Sequence, residues 1–354
     1  MKIAVTADVH LTTREDHPER FNALATILDR LADLEIDQLI IAGDLFDQDV
    51  QNYSEFEKLC QQRSDLTIHV IPGNHDPSVE AKRFATDNIR AYSEPTRVDL
   101  GATFLFVPYQ HGTSMGEAIA PECDNLEPNK WVLVGHGDYY GGSHQPNPYE
   151  KGIYMPLSRS DVERFQPCTV LLGHIHVPSD EAPIHYPGSP CGLNITEVGH
   201  RRFLVYDTDT AVISPCRIQT DILFFQESFV IVPYEDEVDR LGEEIQRRID
   251  AWDLAESDQD RVQLRVDARG FCIDKQAITV LLNERFGDFA HYKDETPDVA
   301  DLSVSTNIEL GRIATQVEKL IDELDWQSAP EGDRPDRDEI MNQALHVIYG
   351  EGGA

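Results

Sequence analysis

The sequence is short of lysine, of positive charge in general and of any long apolar run, and each shortage closes off a class of protein. Its 354 residues hold 30 Lys and Arg against 64 Asp and Glu, and only 8 of those 30 are Lys. A formal charge of -34 and a pI near 4.5 exclude a protein that coats nucleic acid through bulk counterion release. No stretch reaches the ~18 apolar residues of a membrane span. The N-terminal MKIAVTADVHL places Asp8 where a signal peptide would carry its apolar core. A soluble, cytoplasmic chain is expected, with no membrane contact. The six cysteines (Cys60, Cys123, Cys168, Cys191, Cys216 and Cys272) never form a C-x-x-C pair. That spacing excludes a zinc ribbon and a dithiol redox motif, and predicts buried free thiols in a reducing compartment.

What is present is enough to build cores. With 40% hydrophobic and 8% aromatic residues, wholesale disorder is excluded. At this length two domains are expected, because single cores stop growing near ~250 to 300 residues. Short apolar runs alternate with amphipathic stretches over the first two hundred residues, which predicts a layered α/β or sheet-sandwich domain. Strands are expected at Lys2 to Ala7, Gln38 to Ala42, Thr67 to Ile71, Thr103 to Val107, Trp131 to Val134, Thr169 to Leu172, Phe203 to Tyr206 and Val212 to Ser214, with a helix beginning near Pro18. After about Asp221 the pattern changes. Strands at Phe224 to Val232 and Val262 to Val266 alternate with helices at Glu235 to Leu254 and Lys275 to Phe286, a smaller α/β unit without polar strand ends. The division that follows is a catalytic domain over 1–220, a cap over 221–327, a linker over 328–337 and a C-terminal helix within 338–354. A further helix at Ile308 to Leu324 would bury a stripe of Ile313, Val317, Leu320, Ile321 and Leu324.

Five short motifs carry the chemistry: Asp8-Val9-His10, Gly43-Asp44-Leu45-Phe46-Asp47, Gly73-Asn74-His75-Asp76, Gly135-His136 and Gly173-His174-Ile175-His176. Each follows an apolar strand, so each is expected on a turn at one sheet edge, where α/β folds collect their polar groups. Together they offer two carboxylates, an amide oxygen and four imidazoles, with one more His beside them. Mixed nitrogen and oxygen donors suit manganese, iron or zinc better than magnesium or calcium, and their number fits two metals sharing a carboxylate. A lone Asp-x-His would mean little; five such motifs in order are specific. His111 and His144 are alternatives to His136, which is preferred because it directly follows an apolar strand. Asp47 and Asp138 read as turn or supporting residues. The motif glycines read as tight-turn residues, since none opens a Walker-type loop.

These motifs resemble the calcineurin-like metallophosphoesterase superfamily, and within it the chain is most similar to the SbcD DNA repair nuclease family. The likeness spans roughly residues 1–208 and is densest in DVHL, HPERF, IIAGDLFD and PGNHD; Tyr186 to Pro190, leading to Glu197, adds to it. The GDLFD and GNHD wording differs from the GDxVDRG and GNHE of phosphoprotein phosphatases. The resemblance implies a β-sandwich flanked by helices and a metal pair, expected to be manganese. It assigns Asp8, His10, Asp44 and His176 to the first metal, with Asp44 bridging to a second completed by Asn74, His136 and His174. His75 would position the phosphate and protonate the leaving oxygen, and Asp76 would orient His75.

On this resemblance the expected function is a manganese-dependent DNA exonuclease and endonuclease, acting in double-strand-break repair with an SbcC-like ATPase. A phosphodiesterase for small nucleotides or nucleotide-lipids is the alternative. A structural subunit that tethers DNA ends is disfavoured, because the whole ligand set is present. Net charge is the objection to DNA, although Lys82, Arg83, Arg90 and Arg97 cluster after the third motif and read equally as a phosphate track or a solvated helix face. The stripe Ile340, Met341, Ala344, Leu345 and Ile348 would either dock the ATPase or fold back on the cap or a homodimer partner.

The acid excess has two readings, an ordinary acidic protein or one adapted to a salty cytoplasm, where the Debye length shrinks to ~3 Å at 1 M. On the second, folding and hydrolysis of DNA rise between low and molar salt, against the usual decline of DNA binding. Circular dichroism and nuclease assays across that range decide it: full activity on DNA at low salt, with no partner present, excludes salt adaptation.

Overall fold

A computed structural model describes residues 1–47, 52–140, 152–324, 326 and 336–350. The chain divides into two compact units, Met1–Leu193 with His200–Ile222, and Asn194–Gly199 with Leu223–Ala354. In the first, β1 (Lys2–Thr6), α1 (Pro18–Asp33), β2 (Gln38–Ala42), α2 (Tyr53–Gln61), β3 (Thr67–Ile71) and β4 (Ile89–Ala91) form a parallel run. The chain then builds a second sheet through β5 (Thr96–Asp99), β6 (Thr103–Val107), α3 (Met115–Ile119) and β7 (Trp131–His136). A small ladder of β8 (Tyr139–Tyr140) and β9 (Leu157–Ser158) precedes α4 (Arg159–Phe165), β10 (Thr169–Gly173), β11 (Ser179–Glu181) and β12 (Ile184–Tyr186). Finally β13 (Arg202–Asp207) and β14 (Val212–Arg217) return to the first sheet, giving orders β14-β13-β1-β2-β3-β4 and β11-β12-β10-β7-β6-β5.

Side-chain alternation explains the layering. Ile3, Val5, Ile40 and Ala42 of the first sheet meet Phe104, Phe106, Val132, Val134 and Leu171 of the second in one buried cluster between the sheets. Their strand neighbours Ala4, Leu39 and Ile41 face outward onto Phe21, Leu24 and Leu28 of α1. Leu105, Val107 and Leu133 likewise face Met115 and Ile119 of α3. Strands covered on both faces have no polar side, which is why they read as unbroken apolar runs. The result is a mixed α/β sandwich flanked by helices. Basic residues 82, 83, 90 and 97 lie on a 3-10 turn and two short strands, not a helix; Lys82 pairs with Glu80 and Arg97 with Glu122 at 3.8 Å.

The second unit has its own four-stranded parallel sheet. In it β15 (Leu223–Ile231) pairs along β16 (Val262–Cys272), with α5 (Glu237–Ala251) between them in sequence; α6 (Lys275–Phe286), β17 (Ala290–His291), β18 (Leu302–Val304), α7 (Ile308–Asp322) and α8 (Arg337–Gly350) follow. Strand β16 runs six residues past the Val266 expected from sequence. It continues through Asp267 and Arg269 because Ala268, Gly270 and Cys272 keep the buried side of the alternation.

Helix α7 turns a different face inward from the stripe read in the sequence. Ala314 and Ile321 are buried with Leu310 and Val317 packed beside them, whereas Ile313, Leu320 and Leu324 are 48%, 63% and 55% exposed. Met341, Leu345 and Tyr349 of α8 complete that cluster, so the α8 stripe is covered by α7 and the end of β15. All six cysteines are free; Cys60, Cys191 and Cys272 are buried as expected, but Cys123, Cys168 and Cys216 are partly exposed. No helix of the described residues is long and apolar enough to cross a membrane.

Candidate metal centre

The five motifs come from two sheets and not from one edge. Strands β1, β2 and β3 deliver Asp8, Asp44 and Asn74 from the first; β7 and β10 deliver His136 and His174 from the second, with His136 opposite Gly173 in the β7–β10 register. Hydrogen bonds join the two edges. His174 N donates to Asp8 Oδ1 at 2.9 Å, and His136 Nδ1 bonds to Ala42 O at 2.9 Å. Asp8 and His10 are tied to the β2 turn through Asp8 N to Gly43 O (3.1 Å) and His10 N to Asp44 O (3.0 Å).

Aiming the ligands inward requires an unusual backbone. Asp8, His10, Asp44 and His174 all adopt positive φ, between 49° and 97°. Non-glycine residues rarely do so, and such strain persists where surrounding structure over-determines it. Two glycines make room for the ligands themselves. A Cβ on Gly43 would overlap the His136 ring, and one on Gly73 would overlap the Asp44 carboxylate. These glycines serve close approach as well as the turns expected of them.

The side chains converge in three overlapping groups. Asp8, His10 and His176 form one cluster, Asp8, Asp44 and His136 a second, and His10, Asp44 and His75 a third at the rim, with ligand atoms within 4.8 Å of one another in each. His10 Nε2 faces His176 Nε2 at 3.2 Å, and lies 3.7 Å from Asp44 Oδ2. On the other side Asn74 Oδ1 is 2.8 Å from His136 Nε2 and 3.1 Å from His174 Nδ1, while Asp44 Oδ2 is 3.3 Å from His136 Nε2. Because its Nδ1 is engaged by the Ala42 carbonyl, His136 presents Nε2 inward, as outer-sphere carbonyls do for metal-binding imidazoles. His111 is exposed and sits by Tyr109, outside this group; His144 falls outside the described residues.

Whether these residues fit a metal pair is answered by two oxygens. Asp8 Oδ2 and Asp44 Oδ2 are buried with no hydrogen-bond partner, in a protein interior where such groups are normally satisfied. Asp44 Oδ2 faces imidazole nitrogens of His136 and His10, and Asp8 clusters with His10 and His176, so a cation at each position would satisfy carboxylate and imidazole together. Electrostatics agrees. Burial pushes Asp8 up to about 6, even though His136 and His176 pull it down. Asp44, for which burial also opposes ionisation, is held well below the usual carboxylate range by His136 and His10. Burial drives His10 down to about 3, which keeps it a neutral ligand. His136 moves the other way, to about 9: burial opposes its charge, but Asp44 and Asp8 outweigh it. A proton on its Nε2 therefore occupies the place for which a cation competes.

His75 differs from the other clustered residues in its exposure. Its side chain is 16% exposed where those of His10 and Asp44 are 1%, and its ring packs edge-on against His10 at 4.6 Å. The residue that orients it is Asp47, not Asp76. Asp47 Oδ1 is 3.1 Å from His75 Nδ1, and Asp47 Oδ2 accepts from Arg20 at 3.2 Å. Asp76 is instead consumed by backbone: its oxygens accept from Gly73 N (2.7 Å) and Phe46 N (3.0 Å), fastening the β3 turn to the β2 turn. Burial, with the Asp44 charge adding to it, pushes Asp76 up to about 7. Two further residues were not legible as site residues in the sequence. Buried Arg20 donates to His10 O at 2.6 Å, and buried Arg201 to His176 O at 2.9 Å, so each fixes the backbone of a ligand histidine.

Buried carboxylates and imidazoles meeting at the junction of two sheets define a metal-dependent hydrolase. The calcineurin-like phosphoesterase model matches residues 1–178, and the chain belongs to that family, a metal-dependent phosphoesterase with a dinuclear centre. Among solved structures it is similar to an archaeal phosphodiesterase (15% identity over 62% of this chain and 100% of that one, TM-score 0.34). It is also similar to the nuclease MPE of Pseudomonas putida (20%, 38% and 62%, TM-score 0.24) and to a phosphatase of Mycoplasma pneumoniae (10%, 62% and 94%, TM-score 0.38). Likeness at this level does not select a substrate.

Two divalent cations held by these residues would supply Lewis acidity toward the phosphoryl oxygens and would lower the pKa of bound water. The protein's part is to hold seven donors in register and to keep His75 at the rim, its Nδ1 side fixed by Asp47. With Nδ1 engaged by Asp47, Nε2 is the ring nitrogen left to hold or give a proton, the role expected of His75. Metal analysis separates the two roles. Asp44→Asn loses both metals while staying folded, because the amide lacks the charge that holds two cations ~3.5 to 4 Å apart. His75→Ala keeps both metals and loses ~10² to 10⁴-fold in rate. An active Asp44→Asn protein with two bound ions, or a His75→Ala protein missing one, overturns the corresponding assignment.

Proposed function

We propose that the chain is a nuclease of the SbcD type: a manganese-dependent exonuclease on duplex ends and endonuclease on single strands, acting in the cytoplasm in double-strand-break repair beside an SbcC-like ATPase. The observation that carries this reading is Arg20. It belongs to the HPERF stretch, one of the parts of the sequence most similar to that family, and it bonds to both His10 O and Asp47. The stretch specific to that resemblance is therefore wired into the site through a metal ligand and through the partner of His75. Four imidazoles beside two carboxylates and an amide oxygen support manganese over magnesium. Asp8, His10, Asp44 and His176 would hold one ion, and Asp44, Asn74, His136 and His174 the other.

The second reading, hydrolysis of small nucleotide diesters, is favoured by the net charge of -34, which disfavours a long polyanion at low salt. Incubating the protein with manganese and either linear duplex DNA or a panel of small nucleotide diesters, at low and high salt, separates the two. Degradation of the duplex supports the nuclease, hydrolysis of small diesters alone supports the second reading, and hydrolysis of neither overturns both.

The partner contact is assigned to α7. Its Ile313 and Leu320, with Leu324 just beyond its C-terminal end, form an exposed apolar patch of the kind that helix-in-groove binding uses. The α8 stripe has its cover already, and removing residues 330–354 would bare Ala314 and Ile321 of α7. Replacing Leu320 and Leu324 by Glu is expected to weaken binding of the ATPase by roughly tenfold or more and to leave manganese-dependent hydrolysis of a small diester intact. Unchanged affinity in a titration with the purified ATPase would overturn the assignment.

A further inference from the structure

Next to the second group of metal ligands the first unit has a cavity of about 400 Å³, within the ~300 to 1,000 Å³ range of ligand pockets. Its wall on the metal side is aromatic. The Tyr154 ring lies 4.9 Å from that of His174, the Tyr109 ring stands edge-on to His136 at 6.4 Å, and the two tyrosines are 6.3 Å apart, tilted by 41°. Both rings hang from fastened backbone. Tyr109 N donates to Pro72 O at 3.1 Å, next to the Gly73-Asn74 turn. Tyr154 is bound at two points to Asp138: its N donates to Asp138 Oδ2 at 2.7 Å and its O accepts from Asp138 N at 2.9 Å. Ile153, Met155 and Pro156 extend the apolar lining, and no Asp or Glu lies among the described lining residues. In a chain with 64 acidic residues, a cavity whose described lining carries no carboxylate, beside the candidate metal centre, is where an anionic substrate can rest its uncharged part.

We propose that this cavity is a nucleobase subsite, in which Tyr109 and Tyr154 offer a stacking platform for the base attached one sugar away from the phosphate at the metal centre. The proposal rests on the phosphodiesterase reading and deepens it: the substrate carries a base, and the enzyme gains affinity from that base's π-face. Stacking on aromatic rings tolerates any base, so the subsite favours nucleotides over base-free diesters with little preference among the four. It also supplies affinity that does not depend on lysine and arginine.

The test compares, on the manganese-loaded full chain, a dinucleotide with the same compound lacking the base on one side. The intact dinucleotide is expected to have the lower KM. Tyr109→Ala and Tyr154→Ala should each raise its KM about 5- to 100-fold, the range that single stacked bases give on alanine substitution. The kcat should stay within about twofold, and the KM of the base-free compound should not move. Tyr109→Phe should restore the low KM, because stacking needs the ring and not the hydroxyl. Equal KM values for the two compounds in the wild type, or alanine variants that affect both alike, overturn the subsite while leaving phosphodiester hydrolysis in place. Hydrolysis of neither compound fails the phosphodiesterase reading itself. Should an alanine variant not fold, thymidine is added to the wild type hydrolysing the base-free compound: competitive inhibition supports the subsite, and no inhibition overturns it.

Discussion

The buried carboxylate of Asp44 is the constraint around which the rest of the first unit is arranged. One oxygen accepts from His75 N at 2.8 Å, which closes the β3 turn over the β2 turn. The other has no hydrogen-bond partner and lies 3.3 Å from His136 Nε2 and 3.7 Å from His10 Nε2. A carboxylate in that position is costly unless positive charge is close. Everything near it serves that need or follows from it: ligand histidines on both sheets, a glycine whose missing Cβ leaves it room, and a left-handed backbone at Asp44 that turns the carboxylate inward. The two sheets therefore meet at this point for electrostatic reasons as well as apolar ones. The core between them ends in Ala42 and Val134, and the polar junction begins one or two residues later.

Around that centre the protein uses hydrogen bonds to the backbone to hold charged or chargeable ligands. Arg20 and Arg201 each donate to the carbonyl of a histidine, His10 and His176, and so fix the direction of its backbone. Asp76 does the same for the turns with its two backbone contacts. The consequence for chemistry is a division of labour between two neighbouring residues. Asp76 builds the loop that carries His75, and Asp47, at the end of the β2 turn, sets the imidazole's orientation from below.

Much of this was legible in the sequence, for identifiable reasons. Ligands sit immediately after strands, and strands covered on both faces announce themselves as apolar runs, so Asp8, Asn74 and His174 could be placed from local pattern alone. What failed were judgements that needed the third dimension. Asp76 is adjacent to His75 in sequence and Asp47 is not, yet consecutive residues on a turn point apart, while the β2 and β3 turns lie side by side. The two sheets could not be told from one, because an edge made of five motifs looks the same in either arrangement. On α7 the apolar residues form one arc broader than the surface that α8 covers, so periodicity could not say which edge of that arc is buried; Ala314, small enough to admit α8, is the residue that decides it. Arg20 and Arg201 were invisible for a different reason: they act through backbone carbonyls, which leave no mark on the residues they hold.

Net charge and local charge need not agree, and here the geometry separates them. The ligand set holds two carboxylates, with four imidazoles and an amide that carry none when bound to metal. Two divalent cations would leave the ligand set itself with an excess of two positive charges, with the Asp47, Asp76 and Asp138 carboxylates set behind it and Tyr109 and Tyr154 on the wall beside it. Surface charges more than about 10 Å away are screened at ordinary ionic strength, whereas charges in a partly desolvated cleft are screened far less. A phosphate that reaches the centre is thus drawn in by its immediate surroundings, although the molecule as a whole repels it at a distance. Such an arrangement admits short or single-stranded approaches more readily than a long duplex laid along the surface. A long duplex would need basic surface from elsewhere, which the proposed ATPase partner would have to supply.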